Sequence, residues 1–168
     1  YYHINAGSGD SYSMNCQGYA FWTHDNPQGW CSSSQWITIL NNCSTSNEAL
    51  FGNSSTVGIK YLLENNWLNI EFSGRWKEVT SSNGGWDIAL NNNQWIVAFR
   101  VGKDSSTMDY HFWYRTDSGE WSNKHGFMGT GSQSLGTDVP TDNYSVGWKL
   151  SSNAQFYNSD IIYYVITE

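Results

Sequence analysis

The chain has 168 residues, with 8 Lys+Arg against 15 Asp+Glu for a net charge of −7, and an aromatic share of 17% that includes 10 Trp. That length suits one domain able to bury most of its apolar surface without metals or many crosslinks, and no repeat or linker divides residues 1–168, so they read as a single domain. The scarcity of basic residues argues against nucleic acid as a partner, and the longest apolar runs, WIVAF at 95–99 and IIYYVI at 161–166, are too short to span a bilayer.

The remaining composition leans on Asn, Ser, Gly and Thr rather than Lys and Glu, which points to a secreted or cell-surface bacterial protein of Gram-positive type. No charged stretch followed by an apolar one opens the chain, so a secretion signal is expected to have been removed, or never to have been there. The three cysteines leave one over after any pairing. Cys31 and Cys43, separated by a short segment, could close a small loop and leave Cys16 as the odd thiol; the alternative is three reduced thiols.

In chain order, residues 1–14 read as loop, with Ser11, Ser13 or Asn15 able to cap a helix that carries Cys16, Tyr19, Ala20 and Phe21. SQWITILNN at 34–42 has helical apolar spacing despite its β-branched residues. SSTVGIKYLLENNW at 54–67 predicts a helix capped by Ser54 or Ser55, with Val57, Tyr61 and Leu62 on one face and its end near Asn65 and Asn66. The period then changes to two: strands are predicted at 75–80, 94–101, 109–116, 119–125 and 160–167, with a short helix at WDIAL, 86–90. Helices first and an antiparallel meander after them predict an α+β domain whose N-terminal helices pack on one face of the sheet.

A cysteine in the first turn of a helix sits where unpaired N–H groups and the helix dipole favour thiolate, so Cys16 is the candidate nucleophile. A thiolate nucleophile needs a base and a group that fixes the base's tautomer. His111 in the strand DYHFWYRT is the candidate base. A three-residue hairpin turn sets Trp113 opposite Asn123 and His111 opposite His125, which puts Asn123 and His111 on one side of the sheet; a two-residue turn would bring Ser122 or Lys124 there instead. The Cys16 backbone N–H, with Asn15 or Tyr12 just upstream, is the candidate oxyanion hole. His3, His24 and His125 read as surface groups, and Arg115 and Asp117 as supports of the hairpin turn. No His/Cys/Asp spacing resembles a zinc site, and no metal or cofactor is expected.

NCQGYAFW at 15–22, together with DYHFWYRTDSGEWSNKHG at 109–126, resembles the paired signature of a bacterial family of amidase or peptidase domains related to the papain-like, NlpC and CHAP cysteine peptidases. The resemblance implies a papain-like fold of NlpC type. It implies Cys16 as nucleophile, His111 as base and a polar third residue at Asn123, where the family tends to have His; the chain reads NKHG where the family usually shows HKPG. The expected function is a secreted, monomeric cysteine hydrolase that cleaves amide bonds in peptides or peptidoglycan stem peptides. The alternatives are a carbohydrate or cell-surface binding module, and a relative that binds peptides without cutting them.

Overall fold

The computed structural model describes residues 16–21, 46–53, 56–79, 88–103, 108–115, 121–124, 135–136, 157 and 159–168. The described elements are α1 (Cys16–Phe21), α2 (Ser46–Phe51), the short strands β1 (Gly52–Asn53) and β2 (Thr56–Val57), and α3 (Ile59–Leu63). The last runs through a π-helical stretch (Glu64–Leu68) into α4 (Asn69–Glu71). Strands β3 (Trp76–Val79), β4 (Gln94–Lys103), β5 (Met108–Arg115), β6 (Trp121–Lys124), β7 (Leu135–Gly136) and β8 (Ile162–Thr167) follow. Short helices precede an antiparallel sheet, which is the α+β arrangement. The helix expected at 34–42 lies outside the described residues.

The sheet runs β3-β8-β4-β5-β6-β7, with β1 and β2 forming a separate pair. Strands β4 to β7 form the expected meander, but the C-terminal strand corrects the rest of it: β8 inserts between β3 and β4. The reason lies in its residues. A central strand is covered on both faces, and Ile162 to Ile166 are all buried, whereas β3 carries exposed Lys77 and Glu78, which suit a sheet edge.

Strand alternation sorts the core into two layers. Val97, Phe99, Val101, Phe112, Tyr114, Tyr164 and Ile166 form one layer with residues of α1 to α3 and the π-helical stretch. Ile96, Ala98, Trp113, Trp121, Tyr163 and Val165 form the other, against Val79, Ile88, Leu90 and Tyr157. Aromatic rings knit the helix-side layer. Phe21 meets Trp67 at 4.5 Å and Phe112 at 5.3 Å, both edge-to-face, and Phe99 stacks on Phe112 at 4.5 Å.

The helix expected over 54–67 starts later and ends later. Its N-cap is Gly58, with no side-chain cap, and Val57 belongs to β2. A Cβ at Gly58 would run into the backbone of Leu50, Phe51 and Gly52, so the chain passes flush against the end of α2 before it can coil. Ile59, Leu63, Trp67 and Leu68 make the buried stripe, while Tyr61 is 57% exposed and Leu62 half-buried. The wider π turn carries the helix past Asn65 and Asn66 and lets Trp67 and Leu68 both reach the core. At 86–90 a helix was expected, yet the described residues 88–90 are non-helical: Ile88 and Leu90, two apart, both pack on the second layer.

Candidate active site

The register of β5 and β6 pairs Trp113 with Asn123, Tyr114 with Ser122 and Arg115 with Trp121. That is the register a three-residue turn predicts. Since residues opposite each other share a face, and residues two apart along a strand share it too, His111 and Asn123 are diagonal neighbours. The imidazole Nε2 and Asn123 Oδ1 lie 3.1 Å apart, with His111 2% and Asn123 0% exposed. With the carboxamide oxygen accepting, Nε2 is the donor, and in the neutral form of the ring the lone pair then lies on Nδ1. A buried amide that fixes one tautomer is what a general base requires.

The ring is also held by aromatic neighbours. Trp113 meets it edge-on at 4.5 Å, and Tyr157 leans over it at 5.2 Å with 33° between the planes. Across the strand, Arg100 on β4 pairs directly with His111. Burial pushes the Arg100 guanidinium below its ordinary range, and the nearby Tyr163 and Asp160 oppose that shift. Burial likewise pushes the Tyr163 hydroxyl up, with Arg100 working against it. Arg100 Nε donates to Ser159 O at 2.9 Å. Arg115, expected to steady the hairpin turn, is buried, and its Nη2 donates to Ile88 O at 2.8 Å, which ties the 88–90 segment to the sheet.

Cys16 opens the described part of α1, and the expected capping residues Ser11, Ser13 and Asn15 lie outside the described residues. All six residues of α1 are buried, and the helix packs on β5 and β6, the two strands that carry His111 and Asn123. Tyr19 meets Tyr114 at 5.6 Å, and Trp95 Nε1 donates to Ala20 O at 3.0 Å. Cys16 itself belongs to the helix-side layer with Tyr19, Phe112 and Tyr114. The His111 ring packs with Trp113 and Tyr157, which belong to the opposite layer. The structure therefore brings His111 and Asn123 together and holds thiol and imidazole in different layers of the core.

Asn15, Tyr12, Cys31, Cys43, His3, His24, His125 and Asp117 lie outside the described residues. Among the described residues no group of three or more His, Cys, Asp or Glu is placed to hold a metal ion, and no helix is long and apolar enough to cross a membrane. Exposed large apolar side chains among them are Phe51, Tyr61 and Ile70. The sequence reading missed Tyr157, Ser159 and Arg100. Only Arg100 left a signal, as a charge placed in phase with Ile96 and Ala98 in an otherwise apolar strand.

These features define an α+β protein with a buried histidine–asparagine pair on adjacent antiparallel strands. No protein-family model, no curated protein and no solved structure matches the chain.

Proposed function

We propose that the chain is a secreted cysteine hydrolase of papain-like, NlpC type that cleaves amide bonds in peptides or peptidoglycan stem peptides. The observation that carries the reading is the 3.1 Å contact of His111 Nε2 with Asn123 Oδ1, on the two strands against which the Cys16 helix packs. This reading requires Cys16 and the His111 ring to meet from the separate layers they occupy here; Cys16 then attacks the amide carbonyl, and His111 Nδ1 takes the thiol proton and passes it to the leaving amine. Water then cleaves the thioester, releasing the carboxylic acid and restoring the thiol. Asn123 keeps the ring in the required tautomer. The Cys16 N–H with Asn15 or Tyr12 would meet the oxyanion.

A second reading is favoured by one observation, the placement of Cys16 and the His111 ring in different layers. It is a relative that keeps the fold and binds peptides without cutting them. Iodoacetamide labelling of Cys16 between pH 4 and 9, followed by peptide mass spectrometry in the native chain and in His111→Ala, separates the two. The hydrolase requires labelling that persists at acidic pH and weakens in the variant. Labelling that appears only on denaturation leaves the non-catalytic reading.

A further inference from the structure

The His111–Asn123 pair has a third neighbour that the mechanism does not use. Tyr157 is 5% exposed, and its ring lies 5.2 Å from the imidazole and 5.9 Å from Trp113, perpendicular to the latter. What holds it there is visible two residues on. Ser159 N donates to Val101 O at 3.0 Å, Val101 N donates to Ser159 Oγ at 2.9 Å, and Arg100 Nε donates to Ser159 O at 2.9 Å. Ser159 Oγ in turn donates to Asp160 O at 2.9 Å, and Asp160 N donates to Asn47 Oδ1 at 2.9 Å. Ser159 is thus fastened to β4 by its backbone N–H, its carbonyl and its hydroxyl, at Arg100 and Val101, the residues paired with His111 and Tyr110.

We propose that Tyr157 is a positioning residue, a ring clamped over the His111–Asn123 hydrogen bond by Ser159 and Arg100, which fixes the imidazole plane and keeps water from competing for Nε2–H. The physical basis is simple. A neutral hydrogen bond contributes little net when water can replace either partner, and far more when both partners are dry. Asn123 supplies the acceptor, Trp113 meets one side of the ring edge-on, and Tyr157 covers the imidazole with a face no other described ring occupies. The ring rather than the hydroxyl does the shielding, so phenylalanine should replace tyrosine. The functional meaning of the clamp rests on the reading of His111 as a base; the clamp itself does not.

The test is hydrogen exchange at His111 Nε2–H, followed by NMR in the uniformly 15N-labelled full chain, for native protein, Tyr157→Phe, Tyr157→Ala, Tyr157→Leu and Ser159→Ala. The expected result is exchange about tenfold faster in Tyr157→Ala, within about twofold of native in Tyr157→Phe, and intermediate in Ser159→Ala. Backbone amides of Phe99 and Phe112 serve as the control, because general loosening would accelerate them equally. Unchanged Nε2–H exchange in a folded Tyr157→Ala overturns the proposal, as does failure of Tyr157→Phe to protect. Should Tyr157→Ala fail to fold, Tyr157→Leu, which keeps volume without an aromatic face, and Ser159→Ala decide by the same criterion. Iodoacetamide reactivity of Cys16, measured on the same variants, keeps the two readings apart. Altered exchange with an inert thiol retains the clamp and removes the hydrolase, and a reactive thiol with unaltered exchange does the reverse.

Discussion

Replacing Asn123 by alanine tests the centre of the site by stability alone. The carboxamide is fully buried, and its oxygen is the acceptor for a histidine that is 2% exposed. Truncation leaves the imidazole N–H without that acceptor in a place water does not reach, which costs about 1–3 kcal/mol. The void left by the removed atoms adds roughly 1 kcal/mol. A total of about 3 kcal/mol lowers the melting temperature of a domain this size by about 6–12 °C. Urea unfolding of native, Asn123→Ala, His111→Phe and the double variant closes a thermodynamic cycle. His111→Phe keeps the ring against Trp113 and Tyr157 and removes both nitrogens, so the cycle isolates the hydrogen bond. The coupling should be about 1 kcal/mol, with the double variant less destabilised than the sum of the singles. Additivity within about 0.3 kcal/mol would refute the reasoning, because two side chains that do not interact have nothing to couple.

Further outcomes follow from the rest of the core. Tyr164 donates its hydroxyl to Glu64 at 3.1 Å, and Lys60 bridges Glu64 at 2.7 Å and Glu78 at 3.1 Å. Burial, reinforced by Glu64, holds the Tyr164 hydroxyl well above its ordinary 10.0; for Lys60 burial pulls down, but the bonds to both carboxylates more than offset it and raise it above 10.5. Both groups therefore keep their protons longer in the fold than in the unfolded chain, so their stabilisation is complete below these ordinary values and is lost as pH rises beyond them. Chemical denaturation from pH 7 to 11 should show stability falling above about pH 10, less steeply in Tyr164→Phe, which should cost about 1 kcal/mol at pH 7. Gly58→Ala, whose new methyl meets the backbone of Leu50 to Gly52, should lose about 3 kcal/mol or more by thermal melting, because rigid backbone cannot step aside. Phe99→Ala should cost about 3–5 kcal/mol in urea, whereas Ile70→Ala, at a residue 67% exposed, should stay within about 0.5 kcal/mol.

Much of the sheet was legible in the residues. Five strands were predicted near where they form, because aromatic and β-branched residues alternating with period two have few other ways to bury themselves. Of the two hairpin registers the sequence offered, the observed β5–β6 pairing is the one in which His111 and Asn123 meet. A helix carrying Cys16, Tyr19, Ala20 and Phe21 was legible as well. These are short-range consequences of the sequence, decided within a dozen neighbouring residues.

Other features depend on parts of the chain far apart. The insertion of β8 beside β4, the delayed start of α3 behind a glycine pressed on the end of α2, and the approach of Tyr157 to His111 are all long-range contacts. Local pattern cannot reveal them, since a strand's place in a sheet depends on which faces the rest of the chain leaves to be covered. The same reason separates the two halves of the candidate site. Sequence by itself placed Cys16 in the first turn of a helix and offered a hairpin register in which a histidine and an asparagine share a sheet face, beside one in which they do not. Only tertiary structure decided which layer each occupies, because alternation along β5 sends Phe112 toward α1 and His111 away from it.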